Sequence, residues 1–321
     1  MYQYLDQRKT TQMDCGRALT AMTTDQPNNT MKPNQIHHGD NLRVLPELTP
    51  ESIRLIYIDP PFNTGIHRHG LRMKAQRDSE GDRIGFGGNR YRTETMRTHG
   101  YADQFEDYLG FLMPRIEAAL PLLTRDGSLL VHLDQNQSHY VKVALDQLMG
   151  QTHFMNEIIW AYDFGGRSKN RWPAKHDTIL WYARNPKDYV FDLEAVDRIP
   201  YMAPGLVGQE KAQRGKTPTD VWWHTIVPTN GKERTGYPTQ KPLGVLNRFI
   251  QVHTQRGDRV LDFFAGSGTT GQAAGQLDRQ FDLIDQNPDA IAIMRERLKG
   301  FKPDLIAHHM QSDSTESAAS V

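Results

Sequence analysis

The sequence has little cysteine, no long apolar run and no excess of charge of either sign. Cys15 is the only cysteine in 321 residues, which excludes a disulfide framework and a zinc site built from cysteines, and fits a reducing cytosol. No apolar run reaches the ~18 residues that a membrane span needs, and the polar first residues argue against a secretory signal. We therefore expect a soluble, cytoplasmic protein without a membrane partner.

The balance of charge argues, at first sight, against a nucleic-acid partner. Lysine and arginine number 38, as do aspartate and glutamate, whereas proteins that bind nucleic acids commonly carry a basic footprint. The charges are nevertheless sorted along the chain. Residues 64–100 contain eight basic and four acidic residues, residues 163–187 contain six and two, and residues 101–134 contain two and six. Because partners respond to the local field rather than to the total, a nucleic-acid partner stays open.

Short apolar runs that end at turn residues alternate with segments of helical periodicity. The runs predict strands over residues 53–58, 127–134, 156–162, 178–183, 259–263 and 280–285. The third and fourth of these could pair as neighbours. The spacing of apolar residues predicts helices over 108–123, 269–277 and 290–298. This alternation indicates an α/β fold with a mostly parallel sheet and helices on both faces.

A glycine-rich turn follows one of the predicted strands. Its residues, Asp262 to Thr270, read Asp-Phe-Phe-Ala-Gly-Ser-Gly-Thr-Thr. Its glycines would let the backbone approach a ligand closely. The turn would also begin a helix whose free N–H groups can face an anion. No Gly-Lys-Ser/Thr follows, which argues against a phosphate loop, but Gly271 keeps a dinucleotide fingerprint open. Asp285 ends the next strand and is placed to bind the hydroxyls of a ribose, although a plain strand-to-helix turn explains the pattern equally well.

A second turn, Asp59-Pro60-Pro61-Phe62, ends a strand that the pattern predicts to be buried. The two prolines fix the backbone and remove two donors, so nearby carbonyls can accept from a ligand. The residue before a proline is held extended, which sets the direction of the Asp59 carboxylate. Rigid acceptors beside the flat face of Phe62 suit a planar ring that bears an amino group. A stiffened loop with a buried phenylalanine is the alternative interpretation.

Together the two turns resemble the DNA amino-methyltransferases that use S-adenosyl-L-methionine. Asp59 to Phe62 precedes the Phe-x-Gly-x-Gly turn of Phe264 to Gly268, which is the motif order of the β group of that family. His38-Gly39-Asp40-Asn41 resembles the strand end whose acid meets the cofactor adenine. Tyr237-Pro238-Thr239-Gln240-Lys241-Pro242 resembles the segment that closes over the methionine moiety. The resemblance covers roughly residues 36–300 and implies a Rossmann-like methyltransferase sheet with an inserted target-recognition region.

The resemblance implies roles for individual residues. The catalytic residues would be Asp59, Pro60, Pro61 and Phe62. The residues expected to bind S-adenosyl-L-methionine are Asp40, Lys241, Pro242, Asp262, Phe264, Gly266, Ser267, Gly268, Thr269, Thr270 and Asp285. The resemblance also implies double-stranded DNA as the substrate at the bacterial nucleoid, and allows a homodimer and a cognate restriction endonuclease as partners.

The expected reaction moves a methyl group to the exocyclic nitrogen of a flipped base, on which Phe62 would stack. The Asp59 carboxylate and the Pro60 carbonyl would each accept one N–H, and in-line transfer then needs positioning and electrostatics. Carbon-5 methylation of cytosine would need a cysteine in a Pro-Cys context, which Cys15 lacks. In the family, aspartate at the first tetrapeptide position favours adenine N6. Cytosine N4, an RNA or protein amine methyltransferase and a catalytically inactive DNA-binding homologue are the alternatives.

We expect the chain to divide into several parts. They are an N-terminal arm (1–33), a catalytic domain (34–162 and 237–307) with a basic loop insertion (64–104), a target-recognition region (163–236) and a flexible tail (308–321). Basic residues of the second insertion are interleaved with aromatic ones such as Trp181, as in loops that contact phosphates and bases. The expected DNA contacts are Arg167, Lys169, Arg171, Trp172 and Lys175. A solvated loop is the alternative, and no histidine pair has metal-ligand spacing, so we expect no metal.

Overall fold

A computed structural model describes residues 33–62, 68–77, 83–84, 90–101, 105–228 and 230–308. Nearly all of the arm predicted for residues 1–33 and of the tail predicted for residues 308–321 lies outside this part of the chain, and both stay predictions. No helix in the described residues is long and apolar enough to cross a membrane.

The described chain forms strands and helices that alternate over most of its length. The strands are β1 (Gln35–His38), β2 (Ile53–Ile58), β3 (Arg68–Arg77), β4 (Arg83–Ile84), β5 (Arg90–Tyr101), β6 (Leu123–Leu133), β7 (Phe154–Ala161), β8 (His176–Ala183), β9 (Val221–Trp223), β10 (Arg259–Asp262), β11 (Gln280–Asp285) and β12 (Asp304–Ala307). The helices are α1 (Asn41–Val44), α2 (Tyr108–Ala119), α3 (Ser138–Met149), α4 (Gln209–Arg214), α5 (Leu243–His253), α6 (Thr269–Gln276) and α7 (Pro288–Leu298).

Nine of these strands make one sheet in the order β12-β1-β11-β10-β2-β6-β8-β7-β9. β8 runs antiparallel to both of its neighbours, and the other eight strands share one direction. The prediction of a mostly parallel α/β sheet is therefore confirmed, as is the pairing of β7 with β8. Because the carboxyl ends of the parallel strands meet at one edge, the turns after β1, β2, β10 and β11 lie side by side there.

The core lies on both faces of the main sheet. Leu55 and Tyr57 pack on the face covered by α5, α6 and α7, whereas Ile56 and Ile58 pack on the face covered by α1, α2 and α3. Burial on both faces explains why β2 reads as a continuous apolar run. It also holds rigidly the strand that ends at Asp59.

The loop insertion expected over residues 64–104 needs correction. The described residues of this segment form a separate antiparallel sheet in the order β3-β5-β4. Its two long strands pair over the register Arg72↔Met96 to Arg77↔Tyr91. An antiparallel ladder is held by main-chain hydrogen bonds, which do not depend on the aliphatic content from which a loop was predicted.

The boundary of the region expected over residues 163–236 also needs correction. β8 and β9 lie inside it, yet both belong to the main sheet. Trp181, expected among base-contacting loops, is 7% exposed in the core and donates its indole N–H to Ser128 Oγ at 3.0 Å. The parts of this region outside the sheet include the connection between β7 and β8, residues 162–175, and the longer connection after β8, residues 184–220.

Candidate active site

Two neighbouring cavities open at the carboxyl edge of the main sheet. The first cavity is lined by the ends of β1, β2, β10 and β11, by α2 and by the segment Tyr237–Lys241. The second cavity is lined by the ends of β6 and β7, the start of β8 and the same segment. Tyr237, Thr239, Gln240 and Lys241 line both, so this segment lies along the boundary between the cavities.

The glycine turn forms one wall of the first cavity. Gly268 has a φ of 72°, in the left-handed region, and a Cβ there would lie 2.8 Å from Cγ of Met294, so only glycine fits without strain. Gly266 lies so close to Tyr237 that a Cβ would approach its ring to 3.0 Å. The turn is therefore packed tightly between α7 and the segment that separates the cavities.

Asp262 organises this turn from within. Its Oδ1 accepts the N–H of Phe264 at 3.0 Å and its Oδ2 accepts the hydroxyl of Thr270 at 2.6 Å. Burial is the main reason that the pKa of Asp262 rises to about 7, and the negative charges of Asp59 and Asp285 raise it further. The two hydrogen bonds oppose this rise. The residue lines the first cavity, but it also holds the backbone of the turn in place.

Two further acids line the first cavity from adjacent strand ends. Asp285 ends β11, and its carboxylate accepts the N–H groups of Gly266 and Asn287 at 2.8 Å each. Burial raises the pKa of Asp285, and these hydrogen bonds oppose the shift. Asp40 follows β1, accepts the N–H of Leu42 at 3.0 Å and lies 3.6 Å from Nη2 of Arg115. Each carboxylate is thus oriented by main-chain donors and keeps lone pairs for a ligand.

Asp59 lies where the two cavities meet. Asp59 and Pro61 line the first cavity, whereas Phe62 lines the second. Nζ of Lys241 lies 3.1 Å from Oδ1 of Asp59 and 4.5 Å from the centre of the Phe62 ring. Phe62 in turn stacks on His132, with ring centres 6.1 Å apart. The Asp-Pro-Pro-Phe turn therefore presents the Asp59 carboxylate to the first cavity and the Phe62 ring to the second.

Most of the sequence-predicted residues meet at these cavities. Of the predicted cofactor residues, all but Pro242 and Gly268 line the first cavity. Pro242 and Gly268 instead occupy the positions immediately before α5 and α6, where those helices begin. Lys241, predicted to contact the cofactor, is also an ion-pair partner of Asp59.

Other residues at the cavities were not predicted. Arg115 on α2 lines the first cavity beside Asp40, with its guanidinium 4.1 Å above the centre of the Phe111 ring. His132 and Asp177 lie behind Phe62 and are hydrogen-bonded to each other at 3.0 Å. The one local signal for them is a histidine inside an otherwise apolar strand, since the sequence around it reads Leu-Leu-Val-His-Leu.

The residues expected to contact DNA lie in the connection 162–175, of which Tyr162, Phe164 and Ala174 line the second cavity. Trp172 is 97% exposed in the connection 162–175, whose flanking residues Tyr162 and His176 line that cavity. Lys175 also has a structural role, because its ammonium donates to the carbonyls of Phe164 and Gly165 and so braces this connection. The carboxyl ends of the parallel strands, where the cavities open, are thus bordered by an exposed aromatic and basic segment.

Two other members of the basic stretch 163–187 lie at the opposite edge of the sheet. Arg184 follows the end of β8, where it pairs with Glu51 at 2.7 Å, and Lys187 comes three residues later. The cause is the direction of β8. An antiparallel strand starts at the edge where its parallel neighbours end, so its last residues point away from the cavities.

The parallel sheet, the glycine turn after β10 and the acids at the ends of β1 and β11 agree with the class of methyltransferases that use S-adenosyl-L-methionine. The family model of the N6/N4 DNA methylases matches residues 53–296. The match covers most of the chain, so the protein belongs to this family of DNA methylases. It is a DNA methyltransferase, and its methyl donor is S-adenosyl-L-methionine.

Individual relatives agree with this family. The chain is 28% identical over 260 residues to the Type II methyltransferase M.HpaI of Haemophilus parainfluenzae, covering 80% of this chain and 71% of the relative. It is 27% identical over 287 residues to the DNA adenine methyltransferase YhdJ of Escherichia coli, covering 85% and 84%.

Solved structures share the fold. The PvuII DNA methyltransferase, described as cytosine-N4-specific, aligns with a TM-score of 0.57 at 18% identity over 83% of this chain and 87% of that one. The complex of M1.HpyAVI with S-adenosyl-L-methionine aligns with a TM-score of 0.53 at 20% identity over 82% and 98%.

Proposed function

We propose that the protein methylates the exocyclic amino group of a flipped base in double-stranded DNA at a specific site, with adenine N6 as the favoured target. The observation that carries this proposal is the position of Asp59 at the boundary of two cavities. An amino group held there can face a methyl donor on one side while its ring lies against Phe62 on the other.

The first cavity fits the methyl donor. S-adenosyl-L-methionine would place its ribose at Asp285, whose carboxylate is already oriented by two main-chain donors. Its adenine would lie near Asp40, and the glycine turn, of which Gly266 lines the first cavity, would face the methionine moiety. When bound, this group supplies an electrophilic methyl. The tetrapeptide Asp59 to Phe62 precedes the glycine turn in the sequence, which is the motif order of the β group of this family.

Asp59 and Pro60 prepare the nucleophile. The lone pair of an exocyclic amine is delocalised into the ring, which makes the nitrogen a poor nucleophile. The Asp59 carboxylate and the Pro60 carbonyl each accept one N–H, which favours a pyramidal nitrogen with its lone pair directed at the methyl group. Preoriented acceptors of this kind cost no reorganisation during the reaction, and Asp59 can take the released proton.

The second cavity suits a flat base. Phe62, Trp160, Tyr162 and Phe164 contribute aromatic surface to its lining, and a base that enters it must first leave the duplex stack. The connection 162–175 borders this cavity with Arg167, Lys169, Arg171 and Trp172. We assign this connection, within the broader region 163–236, to DNA contacts and target recognition.

A methylation assay with labelled methyl donor tests the proposal. We expect label in duplex DNA but not in RNA of the same sequence, and N6-methyladenine as the labelled nucleoside on mass spectrometry. N4-methylcytosine would reassign the target base, and label in RNA or protein alone would refute DNA as the substrate. Cofactor binding without turnover on any duplex would identify an inactive DNA-binding homologue. Base-resolution sequencing of modified cellular DNA then gives the recognition site.

The family resemblance allows a cognate restriction endonuclease as a partner, and we propose that the methyltransferase acts on DNA of the nucleoid in the cytoplasm. DNA methylated by this protein should resist that nuclease. The family resemblance also allows a homodimer, which sedimentation of the purified protein tests.

A further inference from the structure

A chain of buried polar side chains leads from Asp59 into the core, and the proposed chemistry does not use it. Nζ of Lys241 lies 3.1 Å from Asp59 and 3.4 Å from Oδ2 of Asp177. The same Oδ2 lies 3.0 Å from Nε2 of His132, whose Nδ1 lies 2.8 Å from the hydroxyl of Tyr57. Lys241 and Asp177 are 8% and 7% exposed, and His132 is fully buried.

We propose that Lys241 is a positioning residue that bridges Asp59 to Asp177 and so fixes the orientation and the negative charge of the acceptor carboxylate. The inference rests on the proposed function, because it assigns Asp59 as the acceptor of the target amine. It gives Lys241 a role beyond the contact with the cofactor that its sequence segment suggests.

Asp177 is a fixed anchor for this bridge. Its Oδ1 accepts the hydroxyl of Tyr162 at 3.0 Å. Burial alone would raise the pKa of Asp177, but the Lys241 ammonium and the hydrogen bonds from His132 and Tyr162 hold it well below its usual range. Burial also raises the pKa of Tyr57 well above its usual value. Tyr57 therefore stays protonated and donates to Nδ1, which leaves Nε2–H of His132 to donate to Asp177.

The main chain of Lys241 is also held. Its carbonyl accepts the hydroxyl of Thr269, in the first turn of α6, at 3.2 Å. The side chain is thus anchored at Asp177 and the backbone at the glycine turn, so the ammonium has little freedom in where it meets Asp59. The same ammonium faces the Phe62 ring. One cation therefore positions both the acceptor and the aromatic face of the tetrapeptide.

The bridge matters electrostatically because acids predominate around Asp59. The charged and titratable groups around the bridge come from five elements. Tyr57 on β2, Asp262 on β10 and Lys241 between the cavities interact with Asp59 itself, whereas Asp177 on β8 and His132 on β6 lie at the other end of the bridge. Lys241 is the cation among them. Without it, Asp59 would lose the cation that lies 3.1 Å from it while the charge of Asp262 stays nearby, and like charges at close range favour the protonated forms.

Lys241→Met and Lys241→Arg test the bridge, with Lys142→Met as the matched control. Lys142 also pairs with an aspartate and faces an aromatic ring, but it lies on α3 away from the cavities. We expect Lys241→Met to lower kcat at least about 100-fold, the size of effect that misplacing a reacting group by about 1 Å produces. The acidic limb of the pH profile of kcat/KM should move up by about 1 to 3 pH units. Lys241→Arg should restore much of the pH profile, and Lys142→Met should change neither quantity.

Cofactor affinity, measured by calorimetry on the same variants, separates the two roles of Lys241. A dissociation constant within about threefold of the wild type, together with a lost kcat, supports the bridge. A normal kcat with weakened cofactor binding, or an acidic limb that stays in place in Lys241→Met, overturns it. If the wild-type enzyme transfers no methyl group to a DNA amine, the proposed function fails first, and thermal unfolding identifies a variant that has lost its fold.

Discussion

Replacing Gly268 with alanine tests whether backbone geometry and packing together shape the glycine turn. Its φ is 72°, and a Cβ would lie 2.8 Å from Met294 Cγ and 3.3 Å from Leu298 Cδ1. The left-handed conformation costs alanine about 1 to 2 kcal/mol, and overpacking a tight site costs about 1 to 3 kcal/mol. We therefore expect the free energy of unfolding to fall by about 2 to 5 kcal/mol.

Two other glycines separate these contributions. Gly236 has a φ of 90°, but a Cβ there would meet nothing within 4 Å, so Gly236→Ala should show only the backbone cost of about 1 to 2 kcal/mol. Gly300 has neither a positive φ nor a close neighbour, so Gly300→Ala should stay within about 0.5 kcal/mol of the wild type.

Urea titration followed by circular dichroism measures all three variants. Calorimetry should also show weaker cofactor binding for Gly268→Ala, because the turn lines the first cavity. If Gly268→Ala is no less stable than Gly236→Ala, then Met294 and Leu298 do not constrain the turn, and the packing argument is refuted.

Three further predictions concern the chemistry, the DNA surface and the pH dependence. Asp59→Ala should lower methyl transfer at least about 100-fold in a labelled-methyl assay at saturating cofactor, because a preoriented acceptor is lost. Replacing Arg167, Lys169 and Arg171 with alanine should flatten the dependence of log K on log salt by up to about 3 units in a DNA-binding titration, at about 0.9 per phosphate contact. Folding raises the pKa of Asp262 to about 7. The stability that its bound proton contributes is therefore complete below the pKa of an aspartate in the unfolded chain, about 4, and it is lost as the pH rises through about 7. Asp262→Asn should remove this part of the pH dependence of Tm.

Other results would contradict these expectations. Near-normal turnover in Asp59→Ala would show that methyl transfer does not need the Asp59 carboxylate. An unchanged salt dependence would show that the connection 162–175 does not contact DNA phosphates. The charge-matched control for that experiment replaces Arg125, Arg256 and Lys299, which lie at the opposite edge of the sheet. A Tm profile of Asp262→Asn that still falls between pH 4 and 7 by the wild-type amount would assign the effect to another group.

Local patterns were enough to predict the strands that carry the site. β2 and β10 read as apolar runs that stop at Asp-Pro-Pro and at the glycine turn, because both strands are buried on two faces and end at a sharp change of backbone direction. The same patterns failed for β3 and β5, which pair through main-chain hydrogen bonds without an aliphatic run. The apolar run over residues 178–183 correctly placed Trp181 in a strand, but the pattern of basic and aromatic residues also grouped it with a binding loop, although it is 7% exposed in the core.

Residues close together in the sequence determined the glycine turn, the Asp-Pro-Pro-Phe turn and the alternation of strands and helices, since φ preferences and burial periodicity act over a few positions. Tertiary structure decided which distant side chains meet. Asp177 and Lys241 are separated by 64 positions. Asp177 reaches the ammonium that pairs with Asp59 because β8 enters the sheet antiparallel beside β6, with its first residues at the edge where β2 ends. No local spacing encodes that contact, because it depends on the order and direction of strands that pair only in the folded chain.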